Sequence, residues 1–125
     1  MLPRAPGPID GWRILVTDDN PNKLYALTEI LRNAGHCVFA AYDGESALEL
    51  VRLLPDLHLL IANTRLGAVD GAELMSRTRA LKPTLPMLHV SHARESDAGL
   101  PAGVPTLHEP FTANDLLVAI GSLIR

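Results

Sequence analysis

Two apolar runs end in side chains of opposite chemical kind. Arg13-Ile14-Leu15-Val16-Thr17 leads into adjacent carboxylates, Asp18-Asp19, whereas Leu57-His58-Leu59-Leu60-Ile61-Ala62 leads into an amide, Asn63. In a parallel α/β sheet the carboxyl ends of neighbouring strands form the ligand crevice. An acidic pair there can hold a divalent cation through oxygen ligands. A further carboxylate nearby could then act as nucleophile while the metal spreads the charge of the incoming group. An amide cannot, because its nitrogen is delocalised and its oxygen is a poor nucleophile. The sequence thus carries the frame of a phosphoryl-accepting site without the acceptor. The paired acids also have a plainer reading, as a polar strand end that caps the following helix.

The elements that must position these residues follow from periodicity. Leu24, Leu27, Ile30 and Leu31 fall at helical spacing, with Gly35 as the stop, and Val38–Ala41 reads as a short strand ended by Asp43-Gly44. Ala47, Leu48, Val51 and Leu54 form the next helical face, stopped by Pro55. After the strand that ends at Asn63, a loop over 66–71 precedes a helix marked by Leu74, Met75, Thr78 and Leu81 and broken by Pro83. Met87–Ser91 and Val104–His108 are the remaining strands. Thr112 and Asp115 resemble a capping box ahead of Leu116, Leu117, Ile120, Leu123 and Ile124. Between Ala93 and Ala102, Gly99, Pro101 and the pair Ser96-Asp97 leave room for a helical stub or an irregular loop. Strands alternating with helices predict a three-layer α/β sandwich on a parallel five-stranded sheet.

Composition sets the outer bounds. With 125 residues, 47% hydrophobic and 20% charged, the chain is a single globular domain over 13–125, preceded by a Pro/Gly-rich tail or linker over 1–12. A net charge of −3 gives no reason to expect nucleic-acid or membrane-surface binding. No apolar run approaches the ~20 residues of a membrane span. The lone Cys37 fits a reducing compartment and reads as a buried structural thiol. His58, His89, His92 and His108 lack ligand spacing and read as ordinary strand histidines in preference to a transition-metal site.

Taken in order, these motifs resemble the receiver domain of bacterial two-component response regulators. Ile14-Leu15-Val16-Thr17-Asp18-Asp19-Asn20 is similar to the first strand with its metal-binding acids, and Pro55 to Leu66, with Asp70-Gly71 in register, to the third strand and its loop. Ser91 falls at the family's phosphoryl-contacting hydroxyl, and Glu109-Pro110-Phe111 at its Lys-Pro-Phe. The resemblance implies a doubly wound (βα)5, flavodoxin-like fold with strand order 2-1-3-4-5. It implies a cytoplasmic signalling module whose partners are a sensor histidine kinase, a phosphotransfer protein or adjacent domains of the same polypeptide. The segment Asn63-Thr64-Arg65-Leu66 looks most like receivers attached to hybrid sensor kinases.

Three positions depart from that pattern. Asn63 stands at the phosphoacceptor, Glu109 at the lysine, and Thr106 where the family has a Tyr or Phe that acts with the Ser91 position as a switch. Asp18, Asp19 and Glu109 then crowd carboxylates around the site with no cation of their own, the wrong sign for an incoming phosphoryl group. The expected repair is a hydrogen bond from the Asn63 amide to Glu109. The resulting expectation is a receiver-like module that is not phosphorylated, is not an enzyme, needs no cofactor, holds Mg²⁺ at most weakly through Asp18 and Asp19, and works through protein contacts. Two alternatives stand beside it. One is a receiver phosphorylated at another carboxylate, such as Asp18 or Asp19. The other is a small-molecule-binding or enzymatic flavodoxin-like domain, disfavoured because Asp19-Asn20-Pro21-Asn22 supplies no Gly-rich phosphate loop.

Overall fold

Side chains alternate across a strand, so a strand that is apolar at every position must be covered on both faces. Two interior strands are covered in this way along their whole length, their few polar residues included. A computed structural model of the chain describes residues 11–66, 68–91 and 99–124. In chain order the elements are β1 (Arg13–Thr17), α1 (Pro21–Asn33), β2 (Cys37–Ala41), α2 (Gly44–Leu53), β3 (Leu59–Asn63), α3 (Gly71–Leu81), β4 (Met87–Ser91), β5 (Thr106–His108) and α4 (Ala113–Leu123). All strand pairs are parallel, in the order β2-β1-β3-β4-β5, as the resemblance implied. Every residue of β3 and β4 is buried.

Alternation divides the core into two layers. Ile14, Val16, Leu59, Ile61, Leu88 and Val90 face Leu24, Leu27 and Leu31 of α1 and Leu116 and Ile120 of α4. Leu15, Leu60, Ala62 and Met87 face Ala47, Leu48 and Val51 of α2 and Leu74 and Met75 of α3. Burying each such Leu or Ile side chain contributes about 1.5–3 kcal/mol.

Helix ends follow the capping chemistry of the sequence. Gly35, at φ 99°, closes α1: its N–H bonds the Arg32 carbonyl and the next N–H, from His36, bonds that of Leu31. The Thr112–Asp115 capping box forms in both directions, each bond 3.0 Å. The cap of α1 is Asn20, whose Oδ1 accepts from the Asn22 and Lys23 N–H groups, so Asp18-Asp19 do not cap that helix. β5 is shorter than the Val104–His108 run, since Pro105 has no N–H to give the ladder and offers only its carbonyl, which accepts from the His89 N–H. Cys37 is exposed rather than buried, because it opens an edge strand. The tail over 1–10, the Ala93–Ala98 part of the anticipated stub, and His92 lie outside the described residues. No helix among the described residues is long and apolar enough to cross a membrane.

Glycine is demanded at the start of α3. The Gly71 N–H bonds the Thr64 carbonyl at 2.9 Å, and a Cβ at position 71 would collide with the carbonyl oxygen of Asn63. Gly71→Ala is expected to cost about 1–3 kcal/mol through overpacking, read as a lowered urea midpoint with an unchanged slope.

At the opposite end of the sheet, His58 Nδ1 accepts the Arg13 N–H at 2.9 Å, which fixes the ring neutral in the fold. Burial first, and the Arg13 charge second, hold its pKa below the ordinary 6.5. The unfolded chain therefore binds the extra proton first, and this contribution to stability, complete above about 6.5, is lost as pH falls below that value. Chemical denaturation across that range should show a steeper acid loss for the unaltered chain than for His58→Gln.

Candidate functional site: the carboxyl edge between β1 and β3

The chain leaves β1 toward β2 on one side of the sheet and returns to β3 on the other, so the crevice opens between the carboxyl ends of β1 and β3. Both strand ends turn by the same device. Asp18 Oδ1 accepts the N–H of Asn20, two residues on, at 2.9 Å, and Asn63 Oδ1 accepts the N–H of Arg65 at 3.1 Å. The remaining polar atoms meet each other: Asn63 Nδ2 donates to Asp18 Oδ2 at 2.9 Å. Both side chains belong to buried residues.

Asp18 sits in conflicting fields. Burial pushes its carboxyl above the usual carboxylate range; the Asn20 N–H, the Asn63 amide and the Lys23 charge pull it down, and Asp19 pushes it up. Asp19 is exposed. Ser91 is fully buried at the end of β4, and its carbonyl accepts the Glu109 N–H, which seats the loop after β5.

Glu109 does not take the expected partner. Its Oε1 lies 2.9 Å from Lys23 Nζ, an ion pair spanning from the first turn of α1 to the loop after β5. The Asn63 amide is engaged by Asp18 instead, because the two strand ends adjoin directly in the sheet. The expectation of carboxylates without a cation is corrected likewise: Asp18, Asp19 and Glu109 share their edge with the Lys23 ammonium. Lys23 escaped sequence reasoning because it belongs to no motif. One signal was available: the first turn of α1 carries no acid, and a cation there opposes the helix dipole, a cost that a specific carboxylate partner offsets.

Thr106, at the aromatic switch position, is half-buried and its Oγ1 lies 3.1 Å from His89 Nδ1. Among the described residues the histidines do not converge: His58 pairs with Arg13, His89 with threonines, and His108 is exposed. Among the described residues no cluster of three or more His, Cys, Asp or Glu could hold a metal ion. Beside the ion pair, Ala26, Leu27 and Ile30 of α1 and Pro110-Phe111 line an open groove of about 310 Å³, with Lys23 and Glu109 on its rim.

The family model for the response regulator receiver domain matches residues 14–120. Response regulator MprA of Mycobacterium leprae is 37% identical over 119 residues, covering 90% of this chain and 51% of that protein. Transcriptional regulatory protein TcrA of Mycobacterium tuberculosis is 30% identical over 126 residues, covering 98% of this chain and 49% of that protein. The chain spans about half the length of these two relatives. A response regulator receiver protein from Sinorhizobium medicae superposes with a TM-score of 0.83 at 23% identity, covering 91% of this chain and 94% of that one, a likeness of fold. The crevice at the β1–β3 switch point and the matched sequence together make this chain a member of the response regulator receiver domain family.

Proposed function

We infer that this receiver is an interaction module of two-component signalling that is not phosphorylated, Asn63 standing where the acceptor would be. The observation that carries the reading is the Asn63 amide turned onto Asp18 at 2.9 Å, where a receiver needs an oxygen nucleophile. The reading assigns the domain no turnover of its own. Divalent-cation chemistry fits these residues poorly. Both oxygens of Asp18 already accept hydrogen bonds and Glu109 is paired with Lys23, so Mg²⁺, which demands near-octahedral oxygen ligation, is assigned at most weak binding through Asp18 and Asp19.

Receiver domains meet cognate histidine kinases, and the surface offered here for such a contact is the groove beside α1. Its floor is apolar, from Ala26, Leu27, Ile30 and Phe111, and its rim carries one cation and one anion. That combination suits an amphipathic helix, which buries an apolar stripe and meets charges at its flanks. The helix would come from a histidine kinase, a phosphotransfer protein or a neighbouring domain of the same polypeptide, including that of a hybrid kinase.

Incubated with acetyl phosphate and Mg²⁺, the chain is expected to keep its intact mass. A gain of one hydroxylamine-labile phosphoryl group would overturn the reading, and mass mapping of the modified peptide would name the carboxylate that carries it.

Asn63→Asp separates frame from chemistry. The substitution keeps the acceptor for the Arg65 N–H but replaces the donor facing Asp18 by a second carboxylate. It should lower stability by about 1–3 kcal/mol at neutral pH, the cost of a buried group left unsatisfied. The apposed acids raise each other's proton affinity in the fold, so this loss grows as pH rises through their titration and shrinks on acidification. Urea titrations of both chains at several pH values, with and without millimolar Mg²⁺, should show the deficit narrowing in acid and in the presence of the cation.

A further inference from the structure

A neutral imidazole carries one donor and one acceptor, and a buried one must find partners for both. His89 does so inside the sheet. It is 1% exposed in the middle of β4, paired in register with Ala62 of β3 on one side and Thr106 of β5 on the other. Nδ1 lies 3.1 Å from Thr106 Oγ1 and Nε2 lies 2.8 Å from Thr64 Oγ1. Ala62 contributes only a methyl group, which leaves the ring room to reach Thr64 in the loop beyond β3. That loop follows directly on Asn63, and the Thr64 carbonyl holds the first N–H of α3.

We propose that Thr64, His89 and Thr106 form a hydrogen-bond relay that couples the crevice loop after β3 to the outer strand β5. Direction is the property it transmits. With the proton on Nε2, the ring donates to Thr64 and accepts from Thr106; with the proton on Nδ1, both bonds reverse. The proton lost at one ring nitrogen is regained at the other and each hydroxyl turns its own proton, so the exchange carries no net charge. Each hydroxyl has a single proton, and the orientation imposed at one end therefore fixes the orientation at the other. A partner group that engages the hydroxyl of the half-buried Thr64 is felt at β5 without displacing a strand. The relay uses neither Asn63 nor a phosphoryl group and stands apart from the functional reading above.

The test is imidazole nitrogen NMR on the labelled 125-residue chain, at a pH well above about 6.5, the ordinary imidazole value. The unaltered chain should show two well-separated His89 nitrogen resonances, the mark of one dominant tautomer. Thr64→Val, which removes the hydroxyl at nearly constant volume, should shift the tautomer ratio about fivefold, the weight of one ordinary hydrogen bond, and move the Thr106 and Leu107 amide resonances. Thr64→Ser should restore both. A His89 ring protonated on both nitrogens at that pH would overturn the relay, since it donates at both ends, and that measurement needs no variant to fold. So would a folded Thr64→Val chain whose His89 nitrogens and β5 amides match the unaltered ones.

Discussion

Where a parallel strand ends, the backbone N–H groups of the following turn lose their ladder partners, and side-chain oxygens must take them. Among the described residues, the segments that follow β1, β2 and β3 on the carboxyl edge of this sheet obey that constraint. Asp18 serves Asn20, Asn20 serves Asn22 and Lys23, Asp43 serves Ser46, Asn63 serves Arg65, and Asp70 serves Glu73. At β1 and β3 the residues so used are also the residues of the crevice. Their turn-forming oxygens are committed to the backbone, and the one atom of each left over is joined to the other. Asp18 and Asn63 are therefore satisfied by the backbone and by each other. A receiver with a carboxylate at both strand ends would confront two anions at this spot and need an external cation; here an amide N–H fills that role.

Charge has been rearranged by the same logic. A cation still stands on the edge, but it comes from α1, and the anion it serves comes from the loop after β5. The pair is partly exposed and so contributes modestly to stability. Its larger effect is positional, since it ties the first turn of α1 to the loop that seats Pro110 and Phe111 beside the groove.

The strands and most helix bounds were legible because they rest on local rules: short apolar runs, Gly35 as a stop, Pro55 and Pro83 as breakers, Thr112 with Asp115 as a box; the strand order came from the resemblance to receiver domains. The crevice was legible as a set of positions, through Asp18, Asp19, Asn63, Ser91 and Glu109 at the ends of strands. Its pairings were not. Whether Asn63 turns to Asp18 or to Glu109 depends on which strand end lies alongside, a fact of register rather than composition. Lys23 is 86 residues from Glu109, and no spacing in a single sequence marks such a contact. Cys37 misled because thiols are usually buried, whereas its exposure follows from standing at the open start of β2. His89 looked like an ordinary strand histidine; its two hydroxyl partners lie 25 residues before it and 17 after, beyond any local pattern.

Gly71 gives the edge a further property. With the backbone of α3 pressed against the carbonyl of Asn63, the position of the β3 terminus is set by main-chain packing, independently of the side chain that Asn63 carries. Errors in the two layers differ in kind. A misplaced charge on the side-chain layer can be annealed by a proton or an ion from solvent, while a misplaced methyl group under it has no solute to cancel it. The molecule thus separates a replaceable electrostatic head from an irreplaceable steric seat, and chemistry at the strand end can be exchanged without the fold being renegotiated.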